Sequence, residues 1–169
     1  VKPDVIALAK GMTAGFPALA ATVFKEKYDV LKPGTSEYTF GAQTLSSAVA
    51  LANINYLTTS GILDTIPEKH QIFMSHLQRM KEKYHFVGDL RGLGLLLGVE
   101  FIHEDGSPDK EIGIDVFSAA VERGLFINIP TTFPGHHSAI SIKPPIIISP
   151  DEIDDAMQRL DDAMKSCVK

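Results

Sequence analysis

The sequence predicts an α/β protein, and three observations carry that prediction. An unbroken apolar run at residues 5–9 lies between Pro3 and Gly11 and reads as a strand buried on both faces, as in a parallel sheet. Apolar side chains recur three or four positions apart at Leu45, Ala48, Ala52 and Tyr56, and again at Phe73, Leu77, Met80 and Tyr84, the period of helices with one buried stripe. Ser149-Pro150-Asp151-Glu152 joins a capping box to a proline at the first helical position, so a further helix starts there.

In chain order, residues 3–24 read as strand, glycine-rich turn and strand, with residues 18–24 as the second buried run. Residues 25–36 are polar and hold the turn Lys32-Pro33-Gly34-Thr35. A helix is expected over 44–59, ended by Gly61 in the usual cap position, and a second over 67–84. Residues 95–102 read as a strand, 111–123 as a helix with Val116, Phe117, Ala120 and Val121 inward and Gly124 closing it, and 125–129 as a short strand. Residues 139–142 and 146–148 are expected to be extended on either side of Pro144-Pro145, and the final helix to bury Ile153, Met157, Leu160 and Met164. A domain boundary is expected inside the 44–61 helix, dividing the chain into 1–55 and 56–169.

Composition narrows the classes of function. Sixteen Lys and Arg against twenty-one Asp and Glu leave no basic run that could follow a phosphate backbone, so nucleic acid is not an expected partner. The longest strongly apolar stretch, 93–99, is stopped by Glu100 and is too short for a bilayer, and Val1 does not open a signal peptide. A soluble, cytoplasmic protein is expected. Cys167 is the only cysteine, which rules out an intrachain disulfide and a cysteine-based metal site. The six histidines show no metal-ligand spacing, and the adjacent His136 and His137 are candidates only for lining an entrance. Asp151, Asp154, Asp155, Asp161 and Asp162 read as a solvent-facing acidic helix face. Gly92, Gly94 and Gly98 do not have nucleotide-loop spacing and read as tight backbone packing.

Lys10 is the residue with the most specific chemical reading. It stands at the end of the first buried run with glycines after it. An amine held at a sheet edge loses water and tends to lose its proton, and the neutral amine attacks an aldehyde. The alternative is a solvated surface charge, the ordinary state of lysine. The wider wording favours the first. PDVIALAKGMTAGFPALAA resembles the active-site segment of class III pyridoxal-phosphate (PLP) aminotransferases, the group of the ornithine and GABA aminotransferases and dialkylglycine decarboxylase. EYTFGAQTLSSAVALANINYL, VGDLRGLGLLLGVEF and SIKPPIIISPDEIDDAMQRLDDAM resemble further segments of that family in the same order.

The resemblance implies the C-terminal part of a PLP-dependent transferase fold, with 1–55 the end of the large cofactor-binding domain and 56–169 the small α/β domain. It implies that Lys10 holds PLP and moves a proton, that the Thr39 hydroxyl donates to the PLP phosphate of a neighbouring subunit, and that Arg91 pairs with a substrate carboxylate or an internal glutamate. A structural arginine is the alternative for Arg91, and an ordinary strand residue for Thr39. The implied reaction moves an amino group from an amine or amino acid to a 2-oxo acid in a homodimer, with no metal. Two departures qualify it. Gly41-Ala42-Gln43-Thr44 stands where the family has Gly-Gly-Asn-Pro, and Ser141 stands where the decarboxylase has its carboxylate-binding arginine, which disfavours decarboxylation. The family's N-terminal portion has no counterpart here, so a fragment, a truncated form or half of a split enzyme is expected, inactive alone, with the missing N-terminal half in the same or a separate chain. A non-catalytic small-domain module for binding or dimerisation is the competing class.

Overall fold

The computed structural model describes residues 2–35, 37–128 and 138–168. It contains two compact units, Val1–Gly61 and Ile62–Lys169. The division falls at the end of the first long helix, which packs on the turn that follows the first strand.

The first unit opens with an antiparallel ribbon, β1 (Val5–Leu8) against β2 (Ala21–Phe24), with Val5 opposite Phe24 and Leu8 opposite Ala21. This corrects the parallel, doubly buried reading. Both strands are apolar as expected, yet Val5 is 52% and Phe24 42% exposed. An apolar run is buried on both sides only when layers cover both sides, and among the described residues these two strands pair only with each other. Helix α1 (Thr44–Thr59) follows, and Gly61 just beyond it has φ +76°, the left-handed backbone that glycine accepts freely. Its buried residues are Ser46 and Ala50, whereas Leu45 is 72% and Tyr56 52% exposed. The inward face is thus one position away from the expected stripe. Its apolar and polar side chains are mixed round the helix, so periodicity alone did not select a side.

The second unit is a three-stranded antiparallel sheet, β3 (Val87–Leu93), β4 (Leu96–Phe101) and β5 (Ala139–Ile142) in that order, with α2 (Ile66–Lys83), α3 (Lys110–Glu122) and α4 (Pro150–Ser166). On β4, Leu97, Val99 and Phe101 alternate inward. They meet Phe73 and Leu77 of α2, Val116 and Ala120 of α3, Ile140 and Ile142 of β5, and Ile153, Met157, Leu160 and Met164 of α4 in one core. Val121 is the exception on α3, facing outward. Residues 146–148 form a turn instead of a strand, with the Ile148 amide donating to the Pro145 carbonyl at 3.0 Å. Asn128 makes only an isolated bridge to Ser141, and Ile129, like His136 and His137, lies outside the described residues. The acidic face of α4 is not wholly solvated: Asp154 meets His76 at 2.7 Å, and Asp161 accepts from Lys83 at 2.6 Å and from the Tyr84 hydroxyl at 2.9 Å.

The β3–β4 hairpin needs glycine at one point above all. Gly92 has φ +135°, and a Cβ there would stand 2.1 Å from the Leu96 carbonyl oxygen. Gly92→Ala is therefore expected to cost roughly 2–3 kcal/mol, read as a lower urea midpoint of unfolding. At the start of α4 the Ser149 hydroxyl accepts from the Glu152 amide at 3.2 Å, and the Glu152 carboxylate accepts from the Ser149 amide at 2.8 Å. That amide, and then the hydroxyl, hold the Glu152 carboxyl below its ordinary 4.5. A lowered carboxyl stabilises the fold above its unfolded value, and the contribution is lost as pH falls through the folded value. Ser149→Ala should cost about 1 kcal/mol at pH 7. In thermal melts the gap between variant and wild type should narrow as the pH drops below 4.5.

Candidate active site

Lys10 opens a short 3-10 turn, Lys10–Thr13, immediately after β1 and Ala9. Its side chain is exposed, and among the described residues no ion pair or hydrogen bond engages its ammonium group. The backbone around it is held firmly. The Met12 amide donates to the Ala9 carbonyl at 2.8 Å, and the Phe16 amide to the Thr13 carbonyl at 3.0 Å. Thr13 is buried, and its hydroxyl donates to the Pro17 carbonyl at 2.7 Å. Ala14 and Gly15, at φ +52° and +82°, reverse the chain between them. From α1, the Asn53 side-chain amide donates to the carbonyls of Gly11 at 2.9 Å and Met12 at 3.0 Å. Sequence reasoning passed over Asn53; its one signal was an amide inside an apolar helix, where asparagine is a poor former.

Thr39 lies in the same unit, exposed, in the turn before α1 and not in a strand. In that turn the Gly41 amide donates to the Tyr38 carbonyl at 2.9 Å, and Ala42 has φ +52°. No hydrogen bond links Thr39 to Lys10 among the described residues. Arg91 belongs to the second unit, on β3. Its guanidinium is already shared between two carboxylates, Nε donating to Asp89 at 2.7 Å and a terminal nitrogen to Glu100 at 2.7 Å. The guanidinium, helped by the Leu90 amide, holds the Asp89 carboxyl below the usual carboxylate range.

The donor set fits part of a PLP site. A primary amine without a partner can take an aldehyde, and an exposed threonine hydroxyl can donate to a phosphate oxygen. Among the described residues no group of three or more His, Cys, Asp or Glu could hold a metal ion, and no helix is long and apolar enough to cross a membrane.

Comparison with known proteins gives one consistent result. The sequence model described as "Aminotransferase class-III" matches residues 1–164. Acetylornithine aminotransferase of Caldanaerobacter subterraneus subsp. tengcongensis is 37% identical over 164 residues, 97% of this chain and 38% of that protein. The crystal structure of a Bacillus anthracis aminotransferase superposes with a TM-score of 0.88 at 30% identity, covering 98% of this chain and 39% of the other. The ornithine aminotransferase of Toxoplasma gondii, whose structure is described as having partial occupancy of PLP at its active site, superposes with a TM-score of 0.83 at 27% identity, covering 97% of this chain and 37% of the other. The chain thus spans about two fifths of the length of the relatives it matches. On this match across nearly its whole length, and on the fold that accompanies it, the chain belongs to the class-III aminotransferase family.

Proposed function

We propose that this chain is the C-terminal part of a PLP-dependent aminotransferase that moves an amino group from an amine or amino acid to a 2-oxo acid. The observation that carries the reading is Lys10: a primary amine without a partner among the described residues, on a braced turn directly after a strand, within the segment that resembles the family's lysine segment. When bound, PLP supplies an electron sink for the bonds at the substrate's α-carbon. Lys10 would hold the cofactor through its Nζ and, once freed by the incoming amine, remove the proton from the substrate's α-carbon as general base. Thr39 would donate its hydroxyl to the phosphate of the cofactor in a neighbouring subunit of a homodimer, and the assembly would work in the cytoplasm. The names of the relatives support an amino acid such as ornithine or its acylated form as donor.

Asp89 and Glu100 take two of the five N–H donors of the exposed Arg91 guanidinium, so a substrate carboxylate would bind through the remaining ones or displace a neighbour, and Arg91 serves either as a clamp or as the brace of its hairpin. Amino transfer is preferred to decarboxylation, since Ser141 is a neutral hydroxyl and cannot pair with a carboxylate as a guanidinium does.

The test is an absorbance scan with PLP and the N-terminal portion of a class-III relative supplied in trans. A visible band that borohydride removes and that Lys10→Ala lacks supports the proposal. If the two chains associate and no such band forms, the proposal fails, and a non-catalytic binding or dimerisation module takes its place.

A further inference from the structure

We infer that Asn53 is the positioning residue of Lys10, its side-chain amide fixing the turn from which the amine is presented. The inference rests on the reading of Lys10 as the cofactor's attachment amine.

A 3-10 turn of four residues leaves carbonyls at its end that no further helical turn can satisfy. Here those of Gly11 and Met12 both accept from Asn53 Nδ2, at 2.9 and 3.0 Å. An amide nitrogen carries two hydrogens, so this donor is fully used on the turn. Asn53 is half-buried and lies on α1 at helical spacing from the buried Ser46 and Ala50, which puts it on the inward face of that helix. The Thr13 hydroxyl, 1% of that residue being exposed, locks the next stretch through the Pro17 carbonyl at 2.7 Å. The Lys10 side chain has no partner of its own among the described residues. Where its nitrogen can reach is therefore set by the backbone that carries it, and among the described residues the side-chain hydrogen bonds from α1 to that backbone come from Asn53. Asparagine is unfavourable inside a helix, and the two bonds to the turn offset what the helix loses.

The experiment uses the full chain, reconstituted with the N-terminal portion of a class-III relative, carrying Asn53→Asp, which keeps the shape and removes both donors, or Asn53→Leu. PLP is added, adducts are fixed with borohydride, and each lysine is quantified by mass spectrometry. Amide hydrogen exchange is followed in parallel. In the wild type, Lys10 should be modified in preference to Lys25 and Lys27. In both variants that preference should fall about fivefold, because a small displacement of a reacting group costs rate steeply. Amides 11–16 should exchange about tenfold faster, equivalent to ~1.4 kcal/mol, while those of α1 stay protected. If α1 itself loosens in either variant, Asn53→Gln carries the test, since it keeps an amide donor on a longer arm at the same helix position: a loss of preference with α1 intact supports the positioning role, and an unchanged preference together with unchanged exchange in Asn53→Ala overturns it. Preference for Lys10 retained in the variants, with α1 intact, overturns the positioning role alone. A wild type with no preference for Lys10 overturns the attachment reading, and the positioning role with it.

Discussion

Replacing Lys10 by alanine should lower amino transfer in the reconstituted enzyme by at least about 10²–10⁴-fold, the usual contribution of a positioned acid–base group. The loss should appear in kcat with substrate in excess, and it should not be recovered by raising the PLP concentration. Stability should hardly change. Lys10 is exposed and its ammonium group pairs with no carboxylate among the described residues, so the substitution belongs with surface changes that stay within about 0.5 kcal/mol. The matched control is Lys25→Ala in the same unit. Lys25 pairs with Asp4 at 2.6 Å on the surface, an exposed pair of small energetic weight, and this variant should retain near wild-type turnover. Equal losses in the two variants would mean that lysine chemistry at residue 10 is not special.

Phe101→Ala should be the most damaging substitution for folding. Phe101 is fully buried at the end of β4 and faces Phe86 with ring centroids 6.2 Å apart. Its backbone also ties three segments together: its amide donates to the Ser138 carbonyl at 2.6 Å, and its carbonyl accepts from the Asp109 amide at 2.9 Å. Truncating a buried phenylalanine removes its transfer energy and leaves a cavity, together about 3–5 kcal/mol. Domains of this size have only about 5–15 kcal/mol in all. The melting temperature should drop by more than ~10 °C, and the lost protection should map to β3, β4, β5 and α4. Truncation of Leu93, which is 84% exposed at the hairpin tip, should have little effect by comparison.

How much of this was legible in the sequence depended on whether the signal was local. The last helix was fully readable, because Ser149, Pro150 and Glu152 form a cap within four residues and Ile153, Met157, Leu160 and Met164 all go inward. Strand β3 was not read as a strand. Val87-Gly88-Asp89-Leu90-Arg91-Gly92-Leu93 looks like glycine-broken loop until β4 pairs with it, and that pairing is a tertiary fact. The extended reading of 146–148 followed its three isoleucines and took the two prolines as a break between extended pieces, whereas Pro145 begins a turn that closes at Ile148. On α1 the error was one of face, since its nine apolar side chains are spread round the helix and mark no single side.

The site divides in the same way. Lys10 stood out because a lysine between an apolar run and glycines is locally unusual, whereas its brace, Asn53, is separated from it by 43 positions and became visible only in three dimensions. Arg91 shows the reverse. Its type and place suggested a carboxylate partner, and the partners it has are Asp89 and Glu100 of its own hairpin.

The most direct test is peptide mapping of the reconstituted assembly after borohydride reduction in the presence of PLP. The pyridoxyl mass should fall on the peptide that carries Lys10, at close to one per chain. The same mass on a different lysine, or spread evenly over several, would contradict the assignment of Lys10 as the attachment amine.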